Sequence, residues 1–287
     1  MAAALEISGL RKSYKGFALK DVSFAVPEGS IMGLVGPNGA GKTTIVKLIL
    51  NLVRRQAGAI KVFGLDNLAD EKAVKNRIGF VHETPALVED VPLRDIASVV
   101  APFYPCWNPA LFQAMLREFE LPAGKKFKAL SHGMKMKFSL ALALSHDADL
   151  LILDEPTSGL DPVFRRELLD RLAGVIQDGR KAVLFSTHVT SDLERTADYV
   201  TLLLDGEVVL SAPRDDIRDK WAVVKGGPEL LDPVRCPLFR AVRESPYGVE
   251  ALTGDIPASR AAFPSAVFDR ASIEDIMVFL HSGASHD

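Results

Sequence analysis

The chain has only two cysteines in 287 residues, Cys106 and Cys236, far apart and in no metal-ligand spacing. A disulfide framework is therefore not expected, and both thiols read as reduced in a cytosolic protein. No apolar run approaches the ~18 residues that would mark a membrane span. LALALSH (140–146) and LLILDEP (150–156) are short and interrupted by polar residues. The start, MAAALEISGLRKSYKG, has no long apolar stretch behind a basic beginning, so no signal peptide is expected. An excess of positive charge is missing too. The net charge is −3 and the pI near 6.1, which disfavours a general nucleic-acid binder. There is no internal repeat and no low-complexity tract. What remains is ordinary globular composition, 48% hydrophobic and 25% charged, with length for one large domain or two smaller ones.

Apolar runs with β-branched residues alternate with longer helical patterns. SIMGLVG (30–36) ends in glycine and leads to KTTIVKLILNLV (42–53), apolar at helical spacing. RIGFVHE (77–83) reads as a short strand. DLLILDE (149–155) and KAVLFSTH (181–188) are continuous apolar runs bounded by polar residues, as expected of strands buried on both faces. Between them PVFRRELLDRLAGVIQDG (162–179) has Pro162 early and Gly179 past its end, the asymmetry of a helix. This alternation predicts an α/β layer fold with a mainly parallel sheet. Two regions depart from it. From about Pro85 to His146 helix follows helix, NPALFQAMLREFEL (108–121) most clearly, which predicts a helical insertion. After about Ala212 the pattern weakens among many Pro and Gly, and a small C-terminal appendage is expected, ending in a helix at SIEDIMVFLHSG (272–283). The expected boundaries are a domain over 1–215, its helical subdomain over about 85–148, and an accessory region over 216–287.

GPNGAGKTT (36–44) carries the first chemistry: Gly36, four residues, then Gly41-Lys42-Thr43, with a strand before and a helix after. Glycines let consecutive backbone N–H groups of Gly36, Pro37, Asn38, Gly39, Ala40, Gly41, Lys42, Thr43 and Thr44 (proline excepted) curl toward one anion. The helix beginning near Lys42 adds its positive end. Lys42 reaches β- and γ-phosphates as a point charge, and the Thr43 hydroxyl is placed to ligate Mg²⁺. A divalent ion and an attacking water need carboxylates, and LLILDEP supplies them. Asp154 ends an apolar strand at the carboxyl edge of the sheet, the usual ligand side. Glu155 follows and can polarise water as a general base.

In this order and spacing, GPNGAGKTT, LSHGM (130–134), LLILDEPTSGLDP (150–162) and LFSTH (184–188) resemble the ATPase subunit of ABC transporters, over roughly residues 4 to 211. The resemblance implies a P-loop NTPase (RecA-like) α/β core with an N-terminal antiparallel β part and a helical subdomain insertion. It implies ATP and Mg²⁺ as cofactors. The expected partners are a transmembrane permease subunit and a second ATPase subunit, either a second copy or a related chain. It puts the chain in the cytoplasm, peripheral on the inner or plasma membrane. LSHGM takes the place of the family signature, usually Leu-Ser-Gly-Gly-Gln, which caps the ATP held by the facing subunit. Ser131, His132 and Gly133 are the expected signature residues at a helix N-terminus. This displaces a nucleophilic-hydrolase reading of Ser131-His132, because adjacent residues do not easily form a base–nucleophile contact and no Gly-x-Ser-x-Gly elbow exists here. His188 matches the family's switch histidine at the γ-phosphate, and Asp161 matches its loop across the dimer interface. Tyr14 sits where the family stacks an aromatic on adenine; the bland alternative is a plain strand residue.

Three departures stand out. His132 replaces a glycine, and either adds a polar contact or points to solvent. Met134 replaces glutamine. Glu83 replaces the usual Gln at the end of IGFVHET (78–84), where a carboxylate can still ligate Mg²⁺. A Ser-x-Gly-Met-Lys signature resembles exporter-type subunits paired with ABC-2 membrane proteins. PFYPCWNPALF (102–112) is unusually aromatic, either the core of the helical subdomain or a docking surface for the permease. Lys135 and Lys137 read as solvated helix charges. Soluble ABC mechanoenzymes of DNA maintenance need a long coiled coil, and the interval from Glu83 to Leu130 has no sustained heptads. Translation-factor types carry two cassettes, and one phosphate loop is present. A soluble ATP-gated switch or scaffold remains the alternative to transport, and no nucleic-acid partner is expected.

Overall fold

The computed structural model describes residues 2–85, 87–232, 236–246 and 248–283. The first two strands, β1 (Ala3–Tyr14) and β2 (Phe17–Pro27), form an antiparallel hairpin in which Tyr14 pairs with Phe17 across the turn. β2 buries alternate residues, so one face packs and the other meets water. β3 (Ile31–Val35) is buried along its whole length and runs into the loop before α1 (Lys42–Ile49). β4 (Ala57–Val62) and β5 (Leu65–Asp66) complete an antiparallel sheet of order β2-β1-β4-β5. This is the N-terminal antiparallel β part.

After α2 (Glu71–Arg77) comes β6 (Ile78–His82). The helical insertion follows as α3 (Leu93–Val100), α4 (Pro109–Glu118) and α5 (His132–Leu144). α4 starts where the sequence places it: the Asn108 side chain accepts the Leu111 N–H at 2.9 Å, and Pro109 fills the first position, where no N–H is needed. Then come β7 (Leu150–Asp154), α6 (Pro162–Val175), β8 (Ala182–Thr187), α7 (Thr190–Thr196), β9 (Tyr199–Leu204) and β10 (Glu207–Pro213). They build a six-stranded sheet of order β10-β9-β3-β8-β7-β6, parallel except for β10 against β9. β7 and β8 are buried end to end, because helices or the first sheet cover both faces.

The insertion is not a free-standing unit. Phe112 and Phe127 each pack against Phe138, with ring centroids 6.2 and 6.0 Å apart, and all three belong to the same buried cluster as Leu151, Leu153 and Phe185 of the sheet. The aromatic stretch divides. Trp107 packs on Phe112 and Tyr104 stacks on buried His146 at 3.9 Å, whereas Phe103 is 72% exposed. Within the stretch Phe112 is buried, Tyr104 and Trp107 are half-buried and the other residues are exposed, so core packing accounts for those three rings and not for the rest. Cys106 is a free exposed thiol, while the side chain of Cys236 lies outside the described residues.

The C-terminal region is better ordered than its sequence pattern predicts. α8 (Arg214–Lys220) leads to β11 (Ala222–Gly226), β12 (Phe239–Ser245), β13 (Gly248–Thr253), α9 (Ile256–Ala262), β14 (Val267–Arg270) and α10 (Ile273–Gly283). The four strands form an antiparallel sheet of order β12-β13-β11-β14. Val224, Phe239, Ala251 and Phe263 make a small core of their own, while Val223, Leu252, Ile276 and Phe279 join the main cluster. Strands of four to seven residues alternate too briefly to stand out in sequence, and pairing across long intervals supplies what local pattern lacks.

Candidate functional site

Parallel register assembles the site. Val35 lies opposite Thr187, Asp154 opposite Ser186, and His82 opposite Asp154, so four strands end at one edge. Gly36 continues β3 so close to β9 that a Cβ there would sit 2.2 Å from the Leu203 carbonyl oxygen. Gly41 has φ 112, and a Cβ there would meet Leu19 and Phe17 side chains at 2.7 Å. These two glycines are required by packing and by backbone conformation. Behind the loop, Ala40 is buried and its N–H donates to the Pro37 carbonyl at 3.2 Å. α1 has no side-chain cap, so the N–H groups of its first turn have no acceptor within the helix.

Lys42 is 6% exposed, and its Nζ donates to the Gly36 and Pro37 carbonyls at 2.8 and 3.3 Å. It also lies 3.2 Å from Glu155 Oε1. A cavity of about 510 Å³ opens here. Asn38, Gly39, Gly41, Lys42, Thr43 and Thr44 line it from the loop, Glu83 and Glu155 from the strand ends, and Gly16 and Phe17 from the first hairpin. Thus the structure brings together the expected phosphate loop, Glu83 and Glu155. It does not bring Tyr14 there: Tyr14 is 45% exposed under Lys12 and is not among the lining residues. The hairpin turn places Phe17 instead, an aromatic the sequence reading passed over although it stands three residues on.

Asp154 is 2% exposed and accepts the Ser186 hydroxyl at 2.5 Å. Ser186 also accepts the Glu155 N–H, at 3.2 Å through its hydroxyl and 3.0 Å through its carbonyl. It is a fully buried hydroxyl that fixes both carboxylate residues, missed in the sequence although a serine in the apolar run AVLFST signals it. Glu155 itself has φ 51, a left-handed backbone that costs a non-glycine residue on the order of 1–3 kcal/mol and is held by the surrounding bonds. The strain aims its carboxylate at both Lys42 and His188, whose Nδ1 lies 2.9 Å from Oε2. His82, also missed, accepts the Thr84 N–H through Nδ1 and lies 4.0 Å from Asp154. Its remaining ring proton is therefore on the Asp154 side.

The signature residues stand elsewhere. Ser131 caps α5, its hydroxyl accepting the Met134 N–H at 3.3 Å, and none of Ser131, His132 or Gly133 lines the 510 Å³ cavity. His132 does not simply point to solvent, for Nε2 lies 3.0 Å from the Ser158 carbonyl oxygen. Asp161 caps α6, accepting the Val163 and Phe164 N–H groups at 3.0 Å. Lys135 and Lys137 differ from the expected solvated charges. They are half-buried, with ammonium groups 5.1 Å from the Phe127 ring and 4.5 Å from the Phe164 ring, where cation and ring attract.

The donor set around Lys42 fits a polyphosphate: one buried ammonium, an uncapped helix start and a glycine-lined opening. The hydroxyl of Thr43 and the carboxylates of Glu83 and Asp154 are hard oxygen donors of the kind Mg²⁺ takes. The comparisons agree. The ABC transporter family model matches residues 19–158. The Nod factor export ATP-binding protein I of Rhizobium johnstonii is 34% identical over 212 residues, covering 72% of this chain and 68% of that protein. The lantibiotic transport ATP-binding protein SrtF of Streptococcus pyogenes is 32% identical over 216 residues, 74% of this chain and 91% of that one. A solved ATP-binding subunit of an ABC transporter superposes with a TM-score of 0.69 at 32% identity, over 75% of this chain and 92% of its own. The family match spans the lysine-bearing loop, the carboxylate strand and the helical insertion together, the relatives cover about three quarters of the chain, and the chain accordingly belongs to the ABC transporter family as an ATP-binding subunit, an ATPase.

Proposed function

We propose that this chain powers an exporter, closing head to tail on a second ATPase subunit around ATP and driving a transmembrane permease. The observation that carries the catalytic part is the Glu155 carboxylate, 3.2 Å from Lys42 and 2.9 Å from His188. Lys42 and the first-turn amides of α1 hold the β- and γ-phosphates of ATP. Glu155 accepts the proton of the attacking water as the bond to the γ-phosphorus forms, and His188 holds the γ-phosphate from the other side. Thr43, Asp154 and Glu83 would hold Mg²⁺, which would supply charge neutralisation at the phosphates. Ser131 and the amides near Gly133 contribute the cap on the facing subunit's ATP, with Asp161 near the same interface, so a two-fold pair repeats each half-site. Phe17 serves as the adenine-side aromatic in place of Tyr14.

One similar protein supports the direction of transport by name, a Nod factor export subunit, while the lantibiotic subunit is named for transport alone. Among the described residues no helix is long and apolar enough to cross a membrane, so the proposed work at a membrane runs through the permease. In this reading residues 1–215 are the ATPase domain and 216–287 an accessory region, and the site of work is the cytoplasmic face.

Glu155→Gln tests the proposal. Gln keeps the size and a hydrogen bond to water but takes no proton, so hydrolysis should fall by about two to four orders of magnitude. ATP affinity should survive, because Lys42 and the loop amides remain. Closed dimers should accumulate in Mg-ATP and not in ADP, read by size-exclusion chromatography with light scattering. A variant that stays monomeric in excess Mg-ATP and hydrolyses at the parent rate would remove Glu155 from this role.

A further inference from the structure

The start of α5 and the turn after β7 meet at one polar contact, His132 Nε2 to the Ser158 carbonyl oxygen at 3.0 Å. A carbonyl only accepts, so the histidine donates. Its neutral ring does so with the proton on Nε2, and an imidazolium does so as well, so the bond does not depend on the charge of the ring. His132 is exposed and Ser131 before it is the helix cap, so core packing does not dictate where the ring goes. The ring lies along Gly159, where an added Cβ would approach it to 3.6 Å. Gly159 has φ 65 and bends the turn past the imidazole.

On the far side of the same peptide region, the Ser158 N–H donates to the Glu155 carbonyl at 3.2 Å, and the Leu160 N–H to the Thr157 carbonyl at 3.3 Å. The link therefore runs from the first residue of α5, through Ser158, to the residue whose carboxylate faces Lys42 and His188. Glu155 sits in a left-handed backbone that its surroundings must hold, so displacement of this turn changes where the carboxylate points. A glycine at position 132, which the family signature usually has, carries no side chain to make this contact.

We infer that His132 is a positioning residue that ties the signature end of α5 to the catalytic turn of its own subunit. When Ser131 and Gly133 close on the facing subunit's ATP, the movement of α5 reaches Glu155 through the Ser158 carbonyl. Each half-site then senses the other, which is coupling between two ATP sites carried by a named hydrogen bond. The inference rests on the shared-site reading proposed above. A single neutral hydrogen bond bounds the effect at about three- to tenfold.

The experiment compares the full chain with its His132→Ala and His132→Gln variants. Gln offers an amide N–H at a reach similar to Nε2. Hydrolysis is measured against Mg-ATP concentration, and amide hydrogen exchange is followed through residues 157–160. His132→Ala should lower kcat about three- to tenfold, with half-saturating ATP changed by less than about twofold. It should flatten the ATP dependence toward a Hill slope of one and speed exchange at Ser158 and Leu160. His132→Gln should restore rate, slope and protection. Parent-like rate and slope in His132→Ala would overturn the inference, as would a Gln variant that behaves like Ala. A parent protein with a Hill slope of one and no ATP-dependent dimer would instead sink the shared-site reading, and this coupling with it.

Discussion

The chain presents two helix starts in the ATPase region with opposite construction. α1 begins at Gly41, with φ 112 and no side-chain cap, and its first turn opens into a cavity lined by Lys42, Thr43 and Thr44. α5 begins at Ser131, whose own hydroxyl takes the Met134 N–H, and its next residue is bonded to a neighbouring turn. Both ends carry the positive side of a helix dipole. The first is left open where Gly39 and Gly41 carry no side chain, and Gly41 packs against Leu19, Phe17 and Leu203. The second stands at the surface with room around it, since a Cβ at Gly133 would meet Leu160 and Phe164 only at 3.8 and 3.9 Å. The lesson is that glycine is demanded where backbone approaches backbone or φ is positive, and not merely where a motif expects it. That is why the second start accepts His132.

The contrast can be broken most severely at Lys42. Lys42→Ala removes the buried ammonium while leaving the glycines in place, and ATP binding and hydrolysis by the purified chain should be lost. Near-normal turnover of Mg-ATP would overturn the assignment of the loop. The glycines sharpen the contrast next. Gly41→Ala adds a methyl 2.7 Å from two side-chain atoms at a positive φ, and should cost about 2 kcal/mol and lower nucleotide affinity. Gly133→Ala should leave the melting temperature unchanged or raised, because alanine is the better helix former by about 1 kcal/mol and finds ordinary contact distances. Paired thermal melts of the two variants check this, and an equal loss in both would remove the distinction. The smallest effect on stability belongs to Ser131→Ala. It deletes one cap acceptor, worth about 1 kcal/mol, or a melting shift of about 2–4 °C in a chain of this size. Binding of fluorescent nucleotide to the α1 loop should not follow that shift.

Much of the first helix start was legible before any coordinates. GPNGAGKTT between an apolar strand and a helical pattern specifies its own local geometry, and Asp154 and Glu155 follow an unmistakable buried run. The residues missed share a cause. Ser186, His82 and Phe17 become important through strands beside which they lie, and pairing across a sheet leaves no spacing rule in the chain. Tyr14 illustrates the same point, since the hairpin register pairs it with Phe17 and Phe17 is the one that lines the cavity. The C-terminal sheet was illegible as a sheet because its strands are short and join residues as distant as Ala222 and Arg270.

The sequence by itself determined the alternation of strands and helices, the phosphate-binding loop, the carboxylate pair and the family they resemble. These are local: periodicity, capping and glycine placement act within a few residues. Tertiary structure decided that Lys42, Glu155 and His188 converge, that Ser186 holds both carboxylates, and that His132 reaches Ser158. Those contacts come from parallel register at one sheet edge and from α5 packing beside the start of α6. They join residues up to 113 positions apart, the separation of Lys42 from Glu155, and no local preference encodes such a distance.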